Sequence, residues 1–553
     1  MTRYSTILPA LLILGSLLPL RALQAAEAAV PSQVKMINEI IEQGWRDFEI
    51  RPASEADDST WCRRVYLDVI GRVPDQAELS EFVSAKGKDK RAALVDTLLY
   101  DDKYTEEYAS HWSTVWTNIL IGQSGGNGRD SMISRAGMQK YLRDSFARNK
   151  PYNQIVFDLV TATGSTKPGT ENFNGAVNFL VDKVNEEKGV LATSSTSRIF
   201  LGQQVQCTQC HNHPFNQWKQ QMFWEFNSFF RQTRSLRRFV EGTRDIDHAE
   251  LIDEDFAGEA NDPEDALVFY ELRNGLTRVA YPVFTDGTAI GVSGFVSDIK
   301  RRGELGRMML ASENMDKMGV NRMWSLFLGF GFTKPVDDLG PHNPASHPEL
   351  LEKLGAEFRE NSYDLKKLIT WITLSRSYNL APILGSSNEI DDPSIGEMPK
   401  FSRFYLRQMS AEQLYQSLVT ATDASSQGSY EEQERQRNRW LQQFVVAFGT
   451  DEGDEATTFN GSIPQALMLF NGDLTKKAIS TSGGSFIDRL SKTGKSPRDR
   501  VNNLFLAGLA RRASKKEMTI AGQLMAARKG NEKEMLQDMW WAILNSNEFI
   551  MQH

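Results

Sequence analysis

Cys207-Thr208-Gln209-Cys210-His211-Asn212-His213-Pro214-Phe215 separates two helical patterns, and the chain around it is organised by that break. Upstream, Ser194 to Val205 places Ile199, Phe200 and Val205 on one stripe. Downstream of Pro214, Trp218, Met222, Phe223, Phe226, Phe229 and Phe230 recur at helical spacing, the mark of a core-facing stripe that could also wall a flat ligand. The stretch therefore predicts a helix–turn–helix junction packed by aromatics. It also carries chemistry. Cys-x-x-Cys-His is the attachment pattern of a c-type haem: two thiols form thioethers, and the adjacent histidine reaches the iron. With 3 Cys and 7 His in 553 residues, one chance match is expected at roughly 2 in 10⁴, so coincidence is a poor explanation. His213-Pro214-Phe215 is not needed for haem attachment and keeps other chemistries open.

Working outward, the chain is mainly α-helical and multi-domain, with a small β-hairpin or sheet element between two helical regions. Val34, Ile37, Ile40, Ile41 and Trp45 define a helix over 32–48. Others are expected over 60–70, 90–120, 132–147 and 151–162. Asp75 and Glu78 have the spacing of a capping box. The run Arg231 to Arg238 reads as the solvated end of a helix, and the acidic stretch Glu250 to Asp265 as an exposed loop. Ala266 to Leu272 and Leu276 to Phe284 read as paired strands about an Asn274-Gly275 turn. Helices resume at Arg301, with later ones over 364–376, 410–422, 430–447, 462–480, 497–509, 515–527 and 531–547.

Composition limits the function classes. Apolar residues make up 40% and charged residues 24%, as in a folded soluble protein. A net charge of −8 argues against a nucleic-acid partner, since phosphate binding needs concentrated positive charge. Residues 1–26 read as a secretory signal peptide, with Arg3, an apolar Ile7–Leu20 core and small residues from Ala22 to Ala26. An uncleaved anchor is the alternative. No later stretch is long enough to span a membrane, so a periplasmic or secreted location is expected, in which exposed thiol pairs oxidise unless something takes them. Cys62 lies in a helical pattern beside Val65 and reads as a buried free thiol.

Lys334 to Leu351 is a loop rich in proline that holds Asp337, Asp338, His342 and His347. It has the residues for a metal or acid–base site, and equally reads as a rigid interdomain loop with Ser346 and Glu349 capping the next helix.

Four stretches resemble a planctomycete-type family of exported proteins. They are Arg63 to Pro74, Cys207 to Phe215, the set Asn321-Arg322-Met323-Trp324 with Asp337-Asp338-Leu339-Gly340 and Ser346 to Leu351, and Gln465 to Gly472. The family joins a cytochrome-c-like domain of unknown function to a planctomycete-specific domain of unknown function. The resemblance implies a cytochrome-c-like domain over 27–235, a β-containing connection over 236–300 and a C-terminal helical domain over 301–553. It brings no established activity. Some relatives add a separate small cytochrome c domain, and this chain has no second Cys-x-x-Cys-His.

Three readings of the motif stand. In the first, Cys207, Cys210 and His211 bind one haem c for redox or electron transfer, with Met222, His213, His342, His347 or His111 as distal ligand. In the second, Cys207, Cys210 and His213, with His347 or His211, hold zinc in a structural or hydrolytic site. In the third, Cys207 and Cys210 form a short disulfide in a structural or binding protein. The partner would be a redox protein or, for a hydrolytic version, an extracellular glycan.

Overall fold

The N-terminal helix begins where the apolar period predicts. In the computed structural model, which describes residues 30–126, 128, 130–422, 432, 435 and 473–553, α1 (Ser32–Asp47) buries Val34, Ile37, Ile41 and Trp45. The residues read as a signal peptide, the 430–447 helix, most of the 462–480 helix and the Gln465 to Gly472 motif lie outside the described residues.

α2 (Asp58–Ile70) is capped by the Asp57 carboxylate, which accepts from the Ser59 and Thr60 amides, and ends at Gly71. α3 (Gln76–Ser84) opens with the expected Asp75–Glu78 capping box. The segment expected as one helix over 90–120 is two, α4 (Lys90–Tyr100) and α5 (Asp102–Ile121). Asp101 breaks it, its carboxylate accepting from the Lys103 amide to cap α5. α6 (Arg135–Ala147) and α7 (Tyr152–Thr161) follow.

The first sheet departs from expectation. Strands β1 (Gly164–Ser165), β2 (Thr233–Phe239) and β3 (Ile246–Asp253) lie in the antiparallel order β1-β3-β2. From Thr233 the basic run is thus a strand, Arg231 alone closing the preceding helical turn, and Glu250 to Asp253 belong to its partner rather than to a loop. Cross-strand ion pairs explain the charge pattern: Arg238 meets Glu250 at 2.5 Å and Arg234 meets Glu254 at 2.8 Å. The second sheet is the expected hairpin, β4 (Val268–Glu271) with β5 (Thr277–Ala280). Its turn needs the left-handed backbone that Gly275 supplies at φ +81°.

α8 (Val190–Leu201) leads into the cysteine motif and α9 (Gln220–Asn227) leaves it. α8 has the length of the expected 194–205 helix but starts and ends four residues earlier, and α9 is shorter than the Trp218 to Phe230 stripe suggests. The C-terminal half opens with α10 (Arg301–Ala311), α11 (Glu313–Leu328) and α12 (Pro348–Glu360). Ser346 does not cap α12: His347 holds the cap position without a side-chain bond. The Ser346 hydroxyl instead meets His347 Nδ1 at 3.0 Å.

One apolar core joins α1 to residues of α8, α11, α12 and Phe401–Tyr405. The N-terminal helices and the first half of the C-terminal region therefore bury their apolar stripes against each other. A second core gathers apolar residues from Met409 to Ala421 and from Ala478 to Ile550 together with Leu67 and Val73. A third, smaller core lies under the cysteine motif.

Candidate functional site

The site starts at the end of α8. Gly202 terminates the helix at φ +63°, and a Cβ there would lie 2.6 Å from Leu339 Cγ. Glycine thus lets a distant loop press onto the lead-in to the motif: the Leu339 amide donates to the Gly202 carbonyl at 2.7 Å. Asp337 adds two side-chain contacts, to Arg198 at 3.0 Å and to Gln204 Nε2 at 3.0 Å. That loop is itself fixed by buried Asn321, whose amide donates to Thr333 Oγ1 and to the Val336 carbonyl, each at 2.8 Å. Asp337, which the sequence offered for a metal or acid–base site, and Asn321, which it left without a role, are positioning residues. Their signal was the motif in which each stands, without a partner to explain it. Asp338 Oδ1 accepts from His342 Nε2 at 2.9 Å, so this pair closes the same loop.

The motif itself opens with a 3₁₀ turn, Gln206–Gln209, flanked by Cys210. Cys207 lies within the turn and Cys210 directly follows it. Thr208 goes inward: it is fully buried, with its hydroxyl on the Val205 carbonyl at 2.6 Å. Both thiols are exposed and unbridged, whereas Cys62 is buried. Burial pushes the Cys62 thiol far above its ordinary range, which makes it inert, as expected from its apolar setting.

The two motif histidines have opposite tautomers. His211 Nδ1 lies 2.7 Å from the Asn212 carbonyl, which can only accept, so Nδ1 carries the hydrogen. In the neutral ring the lone pair is then on Nε2, the form a metal takes. His213 Nδ1 receives the backbone amides of Phe215 at 3.2 Å and Asn216 at 3.1 Å. Its lone pair is thereby used, and in the neutral ring Nε2 holds the hydrogen.

Side chains from the downstream helix brace the turn. Asn212 Oδ1 accepts the Gln220 amide at 3.0 Å. Gln220 Nε2 bridges the Gln209 and Glu271 carbonyls at 3.1 and 2.9 Å. Trp224 Nε1 donates to the Gln209 carbonyl at 3.1 Å and its ring stacks on Tyr270. The aromatic stripe is core: Trp218, Phe223, Phe226, Phe229 and Phe230 are buried. Phe215 at the tip is 87% exposed.

The remaining histidines are committed elsewhere. His347 packs against Phe332 and Phe401, and burial pushes its ring down to about 4. His111 packs edge-on to Trp112 and bonds the Asp68 backbone, and burial pushes it down to about 4. Met222 is partly buried against the core under the motif. Among the described residues no three His, Cys, Asp or Glu side chains converge as a metal-holding group. Of the zinc set, His213 Nδ1 is engaged by the loop amides and His347 lies against the aromatic core. Cys207, Cys210 and His211 together present two exposed thiols followed by an imidazole whose Nδ1 is engaged by the Asn212 carbonyl.

Residues 36–235 match the family model PSCyt2, a protein of unknown function (DUF1549). Residues 301–525 match PSD1, a protein of unknown function (DUF1553). No curated protein and no solved structure matches the chain.

Proposed function

Since the chain belongs to the family that pairs PSCyt2 with PSD1 in that order, we propose that it is an exported redox protein carrying one c-type haem on its PSCyt2 region. Cys207 and Cys210 would hold the group as thioethers, and His211 Nε2 would take the iron. Bound there, the group supplies one-electron chemistry.

The observation that carries this reading is the His211 tautomer beside two exposed, unbridged thiols. The Asn212 carbonyl orients the ring and raises its basicity, as outer partners do for metal-bound histidines. Thr208, Gln220 and Trp224 keep the turn rigid, so the three donors are presented without prior rearrangement. The electron partner is a redox protein meeting the exposed face around Phe215. Among the described residues no helix is long and apolar enough to cross a membrane.

The test is a haem stain on a denaturing gel with a pyridine haemochrome spectrum, on protein exported in a host that matures c-type cytochromes. A covalent signal that vanishes in Cys207→Ala is expected. A colourless protein from that host overturns the reading, and zinc analysis with thiol counting then separates a metal site from a disulfide.

A further inference from the structure

A cleft of about 430 Å³ lies beside the motif, within the ~300–1,000 Å³ range of small-molecule sites. All three parts of the chain build it. Gln203 and Trp218 come from either side of the cysteine turn, Phe284 and Asp286 from the connecting region, and Asn314 and Glu352 from the C-terminal helices.

The floor is buried: Gln203, Trp218 and Phe284 are each under 5% exposed. The rim carries exposed Asp286 and Glu352 and half-buried Asn314. Gln203 is the telling residue. Its Oε1 is buried without a hydrogen-bond partner, and such a group is costly unless something satisfies it. A ligand hydroxyl in the cleft would do so.

The lining also selects the ligand's chemistry. Lys317 lines the cleft but pairs with Glu313 at 3.3 Å. The two rim carboxylates then dominate, which disfavours an anion. A bound divalent cation has no set of three ligating side chains among the described residues. Amides that both donate and accept, carboxylates that accept from hydroxyls, and flat apolar faces are what a polyhydroxylated ring needs.

We infer that this cleft binds a short neutral saccharide, held by Gln203, Asn314, Asp286 and Glu352, with the buried rings of Trp218 and Phe284 among its lining. The site accounts for the size of the chain, because its walls require both family regions and the segment between them. It does not depend on the haem.

The full exported chain is titrated calorimetrically with neutral glucose, xylose and galactose di- and trisaccharides, and with their uronic-acid counterparts. At least one neutral series binds, and Gln203→Leu and Glu352→Ala each weaken it tenfold or more with the melting temperature unchanged. Glu352 is exposed, so its variant decides the matter if Gln203→Leu fails to fold. Absence of binding across the neutral panel, a preference for the uronic acids, or binding that neither variant alters overturns the inference. A colourless protein that still binds the sugar removes the haem reading alone.

Discussion

Between Trp61 and Ile70 every residue is buried; between Cys207 and Phe215 only Thr208 is. Both stretches are dense in residues that carry chemistry, and the fold uses them in opposite ways. In the first, charge ties the molecule together. Arg63 donates to the Phe549 carbonyl at 2.8 Å, and Arg64 reaches the carbonyls of Tyr378 and His553. Arg64 also lies 3.6 Å over the Phe404 ring. Asp68 accepts from the Tyr378 hydroxyl at 2.6 Å and pairs with Arg407. Burial pushes Arg64 down to about 9 and Asp68 above its ordinary value, against the pull of Arg407. In the second stretch the backbone is fastened and the side chains are displayed. A motif rich in titratable residues is therefore not in itself a site. What separates the two is whether distant segments take up the polar atoms.

The widest separation is expected in thiol reactivity. In reduced protein made without haem maturation, Cys207 and Cys210 react with a maleimide at least about a thousandfold faster than Cys62, the factor that about 4 kcal/mol of opening free energy supplies. Mass spectrometry of the labelled peptides reads it, and comparable rates would erase the contrast.

Stability separates the stretches next. Asp68→Ala strands the Arg407 charge in the core and costs about 3–5 kcal/mol. Cys207→Ser, at an exposed position, stays within about 0.5 kcal/mol. Urea unfolding measures both, and similar midpoints for the two variants would break the comparison.

The smallest effect sharpens it through pH. Buried His347 has a folded value of about 4, below its ordinary 6.5. The unfolded chain then binds the proton more readily in that window. The neutral ring's contribution is complete above about pH 6.5 and is lost as the pH falls towards 4. His347→Gln should remove up to about 1.4 kcal/mol per pH unit from the slope there. Parallel wild-type and variant curves between pH 4 and 6.5 would show that His347 is not held neutral.

Local signals were legible where neighbours in sequence settle the structure. The Asp75–Glu78 capping box and the Asn274-Gly275 turn need only adjacent residues. The Arg231 to Arg238 run was misread because its alternation answers acids on a partner strand and just past its end, Glu250 and Glu254, which no local window contains. Ser346 was misassigned as a cap for a related reason: its amide is drawn to the Phe332 carbonyl and its hydroxyl to His347. The importance of Asp337 was hidden because its partners, Arg198 and Gln204, lie more than a hundred residues earlier.

The sequence by itself determined the helical class, the hairpin, the buried setting of Cys62 and the pairing of two thiols with a following histidine. Those depend on period, spacing and covalent adjacency. Only the tertiary structure decided that His211 keeps its Nε2 lone pair while His213 spends its Nδ1 on the loop, that His347 belongs to an aromatic core, and that three parts of the chain enclose a cleft beside the motif. Burial and hydrogen-bond partners set those outcomes, and both come from residues that meet only when the chain has folded.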